Sequence, residues 1–348
     1  MKMDATKLVR LEKPLSGDTP LWDAWLSKNH LFILMAADEV GLFTSIAAGI
    51  NTADTIAVAT SLNPRACDAV LYNLTVLGFL SDEDGYFKNT LLSKSYLLPT
   101  SSFYWGGLFE YSKNVPLSYD AFLGAIKTTD NNENNDIWAF HEGCPEQSRI
   151  FTRFMHCHSL TAAMELASRD YFNGVHKLLD VGGGSGAYCI ALASAFPEMR
   201  CMVLDLPHVC PETDAYTRGF ELACPIETYA ADMFTDPWPD EQDVVFFSDI
   251  FHDWPAEVNV ALAQRAFGAL HQGGRIFVHE ILLNPHRDSS PTPAFYSMAM
   301  AVTTKGKQYT FEELAGQLRE AGFGRIRKLP SSGYYSLVIG EKVSCPQD

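Results

Sequence analysis

The stretch Leu178-Leu179-Asp180-Val181-Gly182-Gly183-Gly184-Ser185-Gly186-Ala187 limits what this chain can fold into more than any other. The apolar run Leu178 to Val181 suits a buried parallel strand, and Gly182 to Gly186 suits only a tight loop. Ala187 to Phe196 then reads as a helix with Ile190, Leu192, Ala193 and Phe196 apolar. Strand, glycine loop and helix N-terminus together make a ligand-binding corner: glycines let the backbone approach a ligand, and the helix's first N–H groups point at it.

Two readings compete for that corner. Gly182, Gly184 and Ala187 satisfy G-x-G-x-x-A, and Asp205 follows about 20 residues on, where a dinucleotide's ribose would be held. Asp180 argues otherwise, because a carboxylate at the strand's end repels a pyrophosphate at low dielectric. It suits S-adenosylmethionine, which carries a sulfonium and an ammonium and no phosphate. The sign of the charge favours the methyl donor, with a nicotinamide dehydrogenase as an alternative and an unliganded glycine turn as the plain one.

Alternation supports an α/β fold. Strands are expected at Lys177 to Val181, Cys201 to Asp205, Ile226 to Ala230, Asp243 to Phe247, Arg275 to His279, Arg325 to Lys328 and Tyr334 to Ile339. Helices fall between them, notably Ala256 to Leu270 and Thr310 to Ala321. The expectation is a doubly wound, mostly parallel seven-stranded Rossmann-like sheet with ligands beyond the strands' C-terminal ends. Acids gather there: Asp180, Asp205, Asp232, Asp249 after Ser248, and Glu280 after His279.

Upstream, residues 1 to about 18 read as a flexible or swapped arm. From Pro20 to Ile46, Leu21, Trp25, Leu31, Leu34, Met35 and Val40 suit one or two helices buried on a face. Asn51 or Thr52 caps a helix carrying Ile56, Ala57 and Ala59, and Asn63-Pro64 opens a second with Val70, Leu71, Leu74 and Leu77 on one side. A hairpin around Asp82-Glu83-Asp84 completes a winged-helix order. Residues 90 to 176 read as helical and aromatic-rich, with the polar tract Asp130 to Asp136 as a loop.

A net charge of -16, with little but Arg65 basic on the second helix, argues against nucleic acid and an anionic membrane surface. No run of 18 apolar residues is present, and Met1 to Asp18 has no signal-peptide h-region. Eight cysteines without a C-x-x-C pair read as reduced thiols and a cytoplasmic protein.

The chemistry-bearing candidates follow the strand tips. Asp205 can take both ribose hydroxyls or cap a helix; Asp232 with Met233 can take an adenine or close a turn. His252, in Phe251-His252-Asp253-Trp254, can remove a proton near neutral pH, with Glu280 holding its other ring N–H and so its tautomer. His156-Cys157-His158 and His252-Asp253 contain metal-ligand types, but no third ligand has a convincing spacing, and no metal is expected.

With these residues in hand, the chain resembles the plant-type (caffeate/hydroxyneurosporene-like) small-molecule O-methyltransferases, in a bacterial or fungal branch. The blocks that carry the resemblance are Leu178 to Gly186, Leu204-Asp205-Leu206-Pro207-His208-Val209, Ala231-Asp232-Met233-Phe234, Phe251 to Trp254, Gly273-Gly274-Arg275 and Gly306-Lys307-Gln308-Tyr309-Thr310. The resemblance implies an N-terminal helical, winged-helix-like dimerisation domain (1–110), a helical acceptor-pocket segment (111–176) and a methyltransferase domain (177–348) in a homodimer. It implies that Gly182 and Gly184, beside Asp180, cradle the donor's amino-acid end. Asp205 and Leu206 would hold the ribose and Asp232 and Met233 the adenine, with Ser248 and Trp254 bordering the donor. Phe151, Met155 and His158 would line the pocket of a small aromatic acceptor. His252 would be the base, flanked by Glu280 and by position 308. Two departures stand out: Gln308 replaces the family's usual glutamate, and Ser248 a plant lysine. The first leaves a ring carbon or nitrogen as an alternative to a phenolic oxygen, and a non-catalytic donor-binding protein as the remote one.

Overall fold

The computed structural model describes residues 13–114, 118–127, 137–138, 144–286 and 290–343. Asp130 to Asp136 and most of the N-terminal arm lie outside the described residues. The chain divides into two compact units, Met1–Ser102 and Phe103–Asp348, so that residues 103–176 group with the second.

The first unit is helical around one hairpin. Thr52 opens helix Ala53–Thr60 with a reciprocal capping box to Thr55. Helix Pro64–Val76 starts on Asn63, whose side chain accepts from the Arg65 N–H. Strands β1 (Leu80–Glu83) and β2 (Tyr86–Asn89) pair antiparallel across Asp84-Gly85. Both turn residues have positive φ, the geometry that matches the strands' twist. Leu42, Phe43, Ile56, Leu71 and Leu74 form the buried centre.

The expected burial of Pro20 to Ile46 is only partly met. Met35 is buried, Leu34 and Val40 are half-buried, but Leu21 is 73% and Trp25 56% exposed, and Leu31 also faces outward. Helix Thr19–Ser27 contains no buried residue. Periodicity reports that a face is apolar; it does not say that the face is covered.

The second unit is a seven-stranded sheet in the order β5-β4-β3-β6-β7-β9-β8. Its strands are β3 (Lys177–Val181), β4 (Arg200–Asp205), β5 (Glu227–Ala230), β6 (Gln242–Ser248), β7 (Leu270–Ile281), β8 (Gly324–Pro330) and β9 (Tyr335–Glu341). β3 to β7 run parallel, whereas β9 is antiparallel to both β7 and β8. Four residues join β8 to β9, too few for a crossover, so the chain reverses. Because β3 and β6 are covered on both faces, successive residues enter different cores. Val245 and Phe247 pack under helix Ala256–Ala269. Val244 and Phe246 pack with helix Ala187–Ala195 and the end of helix Pro145–Ala167. Helix Ala256–Ala269 stops one residue before the expected Leu270, which already pairs with Gln242.

Candidate active site

The glycine corner forms as the sequence requires. Gly182 has φ +69°, and a Cβ there would lie 2.5 Å from Ile250 Cδ1. A Cβ on Gly184 would project into open space, where a ligand can lie. Asp205 ties the loop to the sheet: its Oδ2 accepts from the Gly184 N–H at 2.8 Å and its Oδ1 from the Leu206 N–H at 2.8 Å. Each oxygen keeps a lone pair for a hydroxyl. Burial raises the Asp205 pKa, and these backbone bonds oppose that rise.

Asp180 does not stand at the mouth of the corner. It is buried beneath the loop, 2.6 Å from where a Gly183 Cβ would sit, with the Cys189 thiol 3.6 Å from Oδ2. Burial pushes it up to about 7. Asp232 makes the turn that was its plain reading, Oδ1 accepting from the Phe234 N–H at 2.8 Å. Met233 packs against the core, as does the half-buried Trp254, whose ring Phe234 meets edge-on at 4.9 Å. Ser248 turns its hydroxyl to His279 Nδ1 at 3.2 Å.

His252 lies on a single 3₁₀ turn, Phe251–Asp253, after β6. Its Nδ1 is 2.8 Å from Glu280 Oε2, while Oε1 of the same carboxylate accepts from the N–H groups of Phe251 and His252 at 3.0 and 3.3 Å. Three donors fix the carboxylate, and the carboxylate fixes the proton on Nδ1, leaving Nε2 with the lone pair in neutral imidazole. Burial opposes charge on this ring, but Glu280, Asp253 and Asp249 around it overcome that and hold its pKa up at about 10. Gln308 is fully buried with Nε2 3.2 Å from the same Nδ1. Nδ1 cannot donate to Glu280 and accept from an amide N–H at once, so Gln308 adds a dipole and no charge. Its Oε1 has no hydrogen-bond partner.

An aromatic wall stands alongside. Phe151 meets Trp138 edge-on at 5.5 Å, Trp138 stacks on Trp254 at 6.4 Å, and Tyr111 stacks on Phe154 at 4.5 Å. Met155 is half-buried on the same helix. The Tyr296 hydroxyl lies 3.1 Å from His158 Nε2, and Tyr296 lies edge-on to His252 at 5.7 Å. Burial, then the charge of His252, push His158 down to about 4, so it is neutral near pH 7. Phe151 and His158 are thereby linked to Trp254 and His252 by rings that no motif marked, Trp138 and Tyr296.

Sequence reasoning also gave no role to Asp249, Asp253 and Tyr335. Asp249 was visible as a strand-end acid. Tyr296 and Tyr335 carry no local signal and reach the site only through packing. Asp249, His252 and Glu280 place one ligand-type atom each within 4.8 Å of one another. A cation bound there would have to displace the Nδ1 proton that Glu280 holds.

Gly306 packs closely against the backbone of His252 and Trp254. A Cβ there would lie 2.5 Å from Trp254 N and closer still to the His252 carbonyl oxygen, both backbone atoms that cannot swing away. Gly306→Ala is expected to lower turnover by about 10²-fold through displacement of His252, and stability by about 1–3 kcal/mol. Steady-state kinetics with a thermal melt check both, and unchanged kinetics would mean the contact does not position the base.

Comparison with known proteins identifies the family. A family model of the O-methyltransferase domain matches residues 125–324. The 3-hydroxy-5-methyl-1-naphthoate 3-O-methyltransferase of Streptomyces sahachiroi is 33% identical over 315 residues, covering 89% of this chain and 91% of that protein. The L-tyrosine C(3)-methyltransferase of Streptomyces lavendulae is 29% identical, covering 89% of each. In fold, human N-acetylserotonin methyltransferase in complex with SAM superposes with a TM-score of 0.80 at 22% identity, over 95% of this chain and 100% of that one. The chain belongs to the O-methyltransferase family, the enzymes its glycine corner and its Phe251-His252-Asp253-Trp254 block resemble.

Proposed function

We propose that this protein transfers a methyl group from S-adenosylmethionine to a phenolic hydroxyl of a small aromatic molecule, with His252 as general base. The observation that carries the reading is the His252 Nδ1–Glu280 Oε2 contact of 2.8 Å, buried beside an aromatic wall. When bound, the donor supplies an electrophilic sulfonium methyl. Gly182 and Gly184 would face its amino-acid end, with Asp180 bracing the loop from beneath; Asp205 and Leu206 would hold its ribose, Asp232 and Met233 its adenine, and Trp254 would border it. The open space over Gly184 and the spare lone pairs of Asp205 fit that role. Phe151, Met155 and His158 hold the acceptor ring. His252 Nε2 takes the hydroxyl proton as the oxygen becomes nucleophilic, and Glu280 retains the Nδ1 proton.

Gln308 favours a second reading, transfer to a ring carbon, because orientation can serve an electron-rich ring where a strong base is lacking. The tyrosine C(3)-methyltransferase among the relatives supports it. The test incubates the protein with donor carrying a ¹³C-methyl and a panel of phenols, naphthols and tyrosine. Methyl carbons bonded to oxygen support the first reading; methyl carbons on the ring overturn it in favour of the second.

The protein acts as a homodimer in the cytoplasm, without nucleic acid or membrane. The exposed apolar side chains Leu21, Trp22, Trp25, Leu26 and Phe32 support a self-association face. No helix among the described residues is long and apolar enough to cross a membrane.

A further inference from the structure

Position 308 leaves a gap in the charge around His252. The amide there has no net charge, and its oxygen is buried without a partner. A carboxylate comes to the same ring from another direction. Asp249, three residues before His252, places Oδ1 3.9 Å from His252 Nδ1, with its side chain 1% exposed. Its other oxygen is 3.8 Å from His158 Nδ1. The Tyr335 hydroxyl lies 2.9 and 3.2 Å from the two oxygens, tethering the carboxylate from β9.

The backbone at Asp249 is also unusual. Its φ of +56° is the left-handed region, which a side-chain-bearing residue adopts at a cost. Such strain persists where surrounding structure over-determines it, and it clusters at functional sites. Here the turn carries the carboxylate back towards the base. The interior beside a buried ring screens charge poorly, so a carboxylate at this distance acts on the imidazole without a hydrogen bond to it.

We propose that Asp249 is the second carboxylate on the Nδ1 side of His252, beside Glu280, supplied from the turn after β6 where position 308 carries an uncharged amide; Asp253 lies instead towards Nε2, at 3.5 Å. It is a positioning residue: it acts through His252 and not on the substrate. The inference rests on His252 being the base of the proposed reaction, but its test needs no acceptor and is read separately from methyl transfer. His252 faces Glu280 from β7, Asp249 and Asp253 from the turn after β6, Tyr296 from helix Pro291–Thr303, His158 from helix Pro145–Ala167, and Gln308. Among these, only the charge of Asp249 changes between the proteins compared first.

The full-length protein is labelled with ¹³C at histidine Cε1, and the His252 signal among ten histidines is identified by its loss in His252→Gln. Its pH midpoint is then measured in the wild type, in Asp249→Asn, and in Asp249→Gly. Glycine favours the left-handed backbone, so this last variant removes the carboxylate while relieving the turn. Both substitutions are expected to lower the midpoint by about one pH unit or more. Adding Gln308→Glu to either one is expected to restore it, since a carboxylate there lies nearer to Nδ1. A midpoint unchanged in both single variants, or lowered in them and not recovered by Gln308→Glu, overturns the proposal.

Discussion

His252→Ala is expected to reduce methyl transfer to a phenolic oxygen by about 10²–10⁴-fold, the range in which a positioned general base contributes. The Michaelis constant for the donor should change little, because the glycine corner is built by β3, β4 and the helix that follows and does not include this side chain. The loss should depend on pH in a defined direction. A base accepts a proton only when neutral, and the three carboxylates around His252 hold its pKa up at about 10. Wild-type kcat/KM, which reports the free enzyme, should therefore rise as pH increases from neutrality into the alkaline range. A sulfonium cation bound alongside an imidazolium opposes its charge, so the profile of kcat should rise at lower pH than that of kcat/KM. The alanine variant should lack the histidine-dependent rise. A loss below about fivefold, or a variant that keeps the wild-type profile, removes the assigned role.

Glu280→Gln is the sharper substitution, because it changes almost no volume. Glu280 uses one oxygen for two backbone N–H groups and the other for His252 Nδ1. A glutamine has one oxygen to share between these tasks. If that oxygen stays with the backbone, the amide N–H groups face Nδ1, which must then accept, and the ring proton moves to Nε2. That is the atom required to receive the acceptor's proton. If the oxygen turns to Nδ1 instead, two buried N–H groups lose their acceptor. Either arrangement weakens the base, and turnover is expected to fall by about 10²–10⁴-fold, as wrong-tautomer substitutions do elsewhere. The alkaline limb should also move to lower pH, since the carboxylate nearest the ring, which raises the His252 pKa, has gone. Near-normal turnover with an unmoved limb would show that Glu280 only braces the backbone.

The parts of this site legible from sequence are those whose meaning is local. Leu178 to Ala187 could hardly be anything but strand, tight loop and helix, because period and glycine content change within a few residues. His252 and Glu280 could be paired without a structure because parallel strands deliver their C-terminal ends to one edge, and β6 and β7 are neighbours. Less could be said where a residue's meaning lies in what it meets. The charge of Asp180 suggests that it faces a cation, yet strand alternation turns it under Gly183. Trp138, Tyr296 and Tyr335 meet Trp254, His252 and Asp249 from three distant segments, and no spacing rule connects them. The close approach of Gly306 to the His252 carbonyl is equally tertiary. Asp249 was in plain view as a strand-end acid, but its left-handed backbone, which returns it to the ring, is a property of the folded turn. For Leu21 and Trp25, the pattern marks an apolar face, but the face that periodicity suggests is buried stays exposed.

Calorimetric titration of the purified protein with S-adenosylmethionine, S-adenosylhomocysteine and NAD in parallel tests the central claim most directly. The corner formed by Gly184, Asp205 and Asp232 is expected to bind both sulfur compounds in the micromolar range and to take up no NAD. Tight binding of NAD, with no heat from either sulfur compound, would contradict the account.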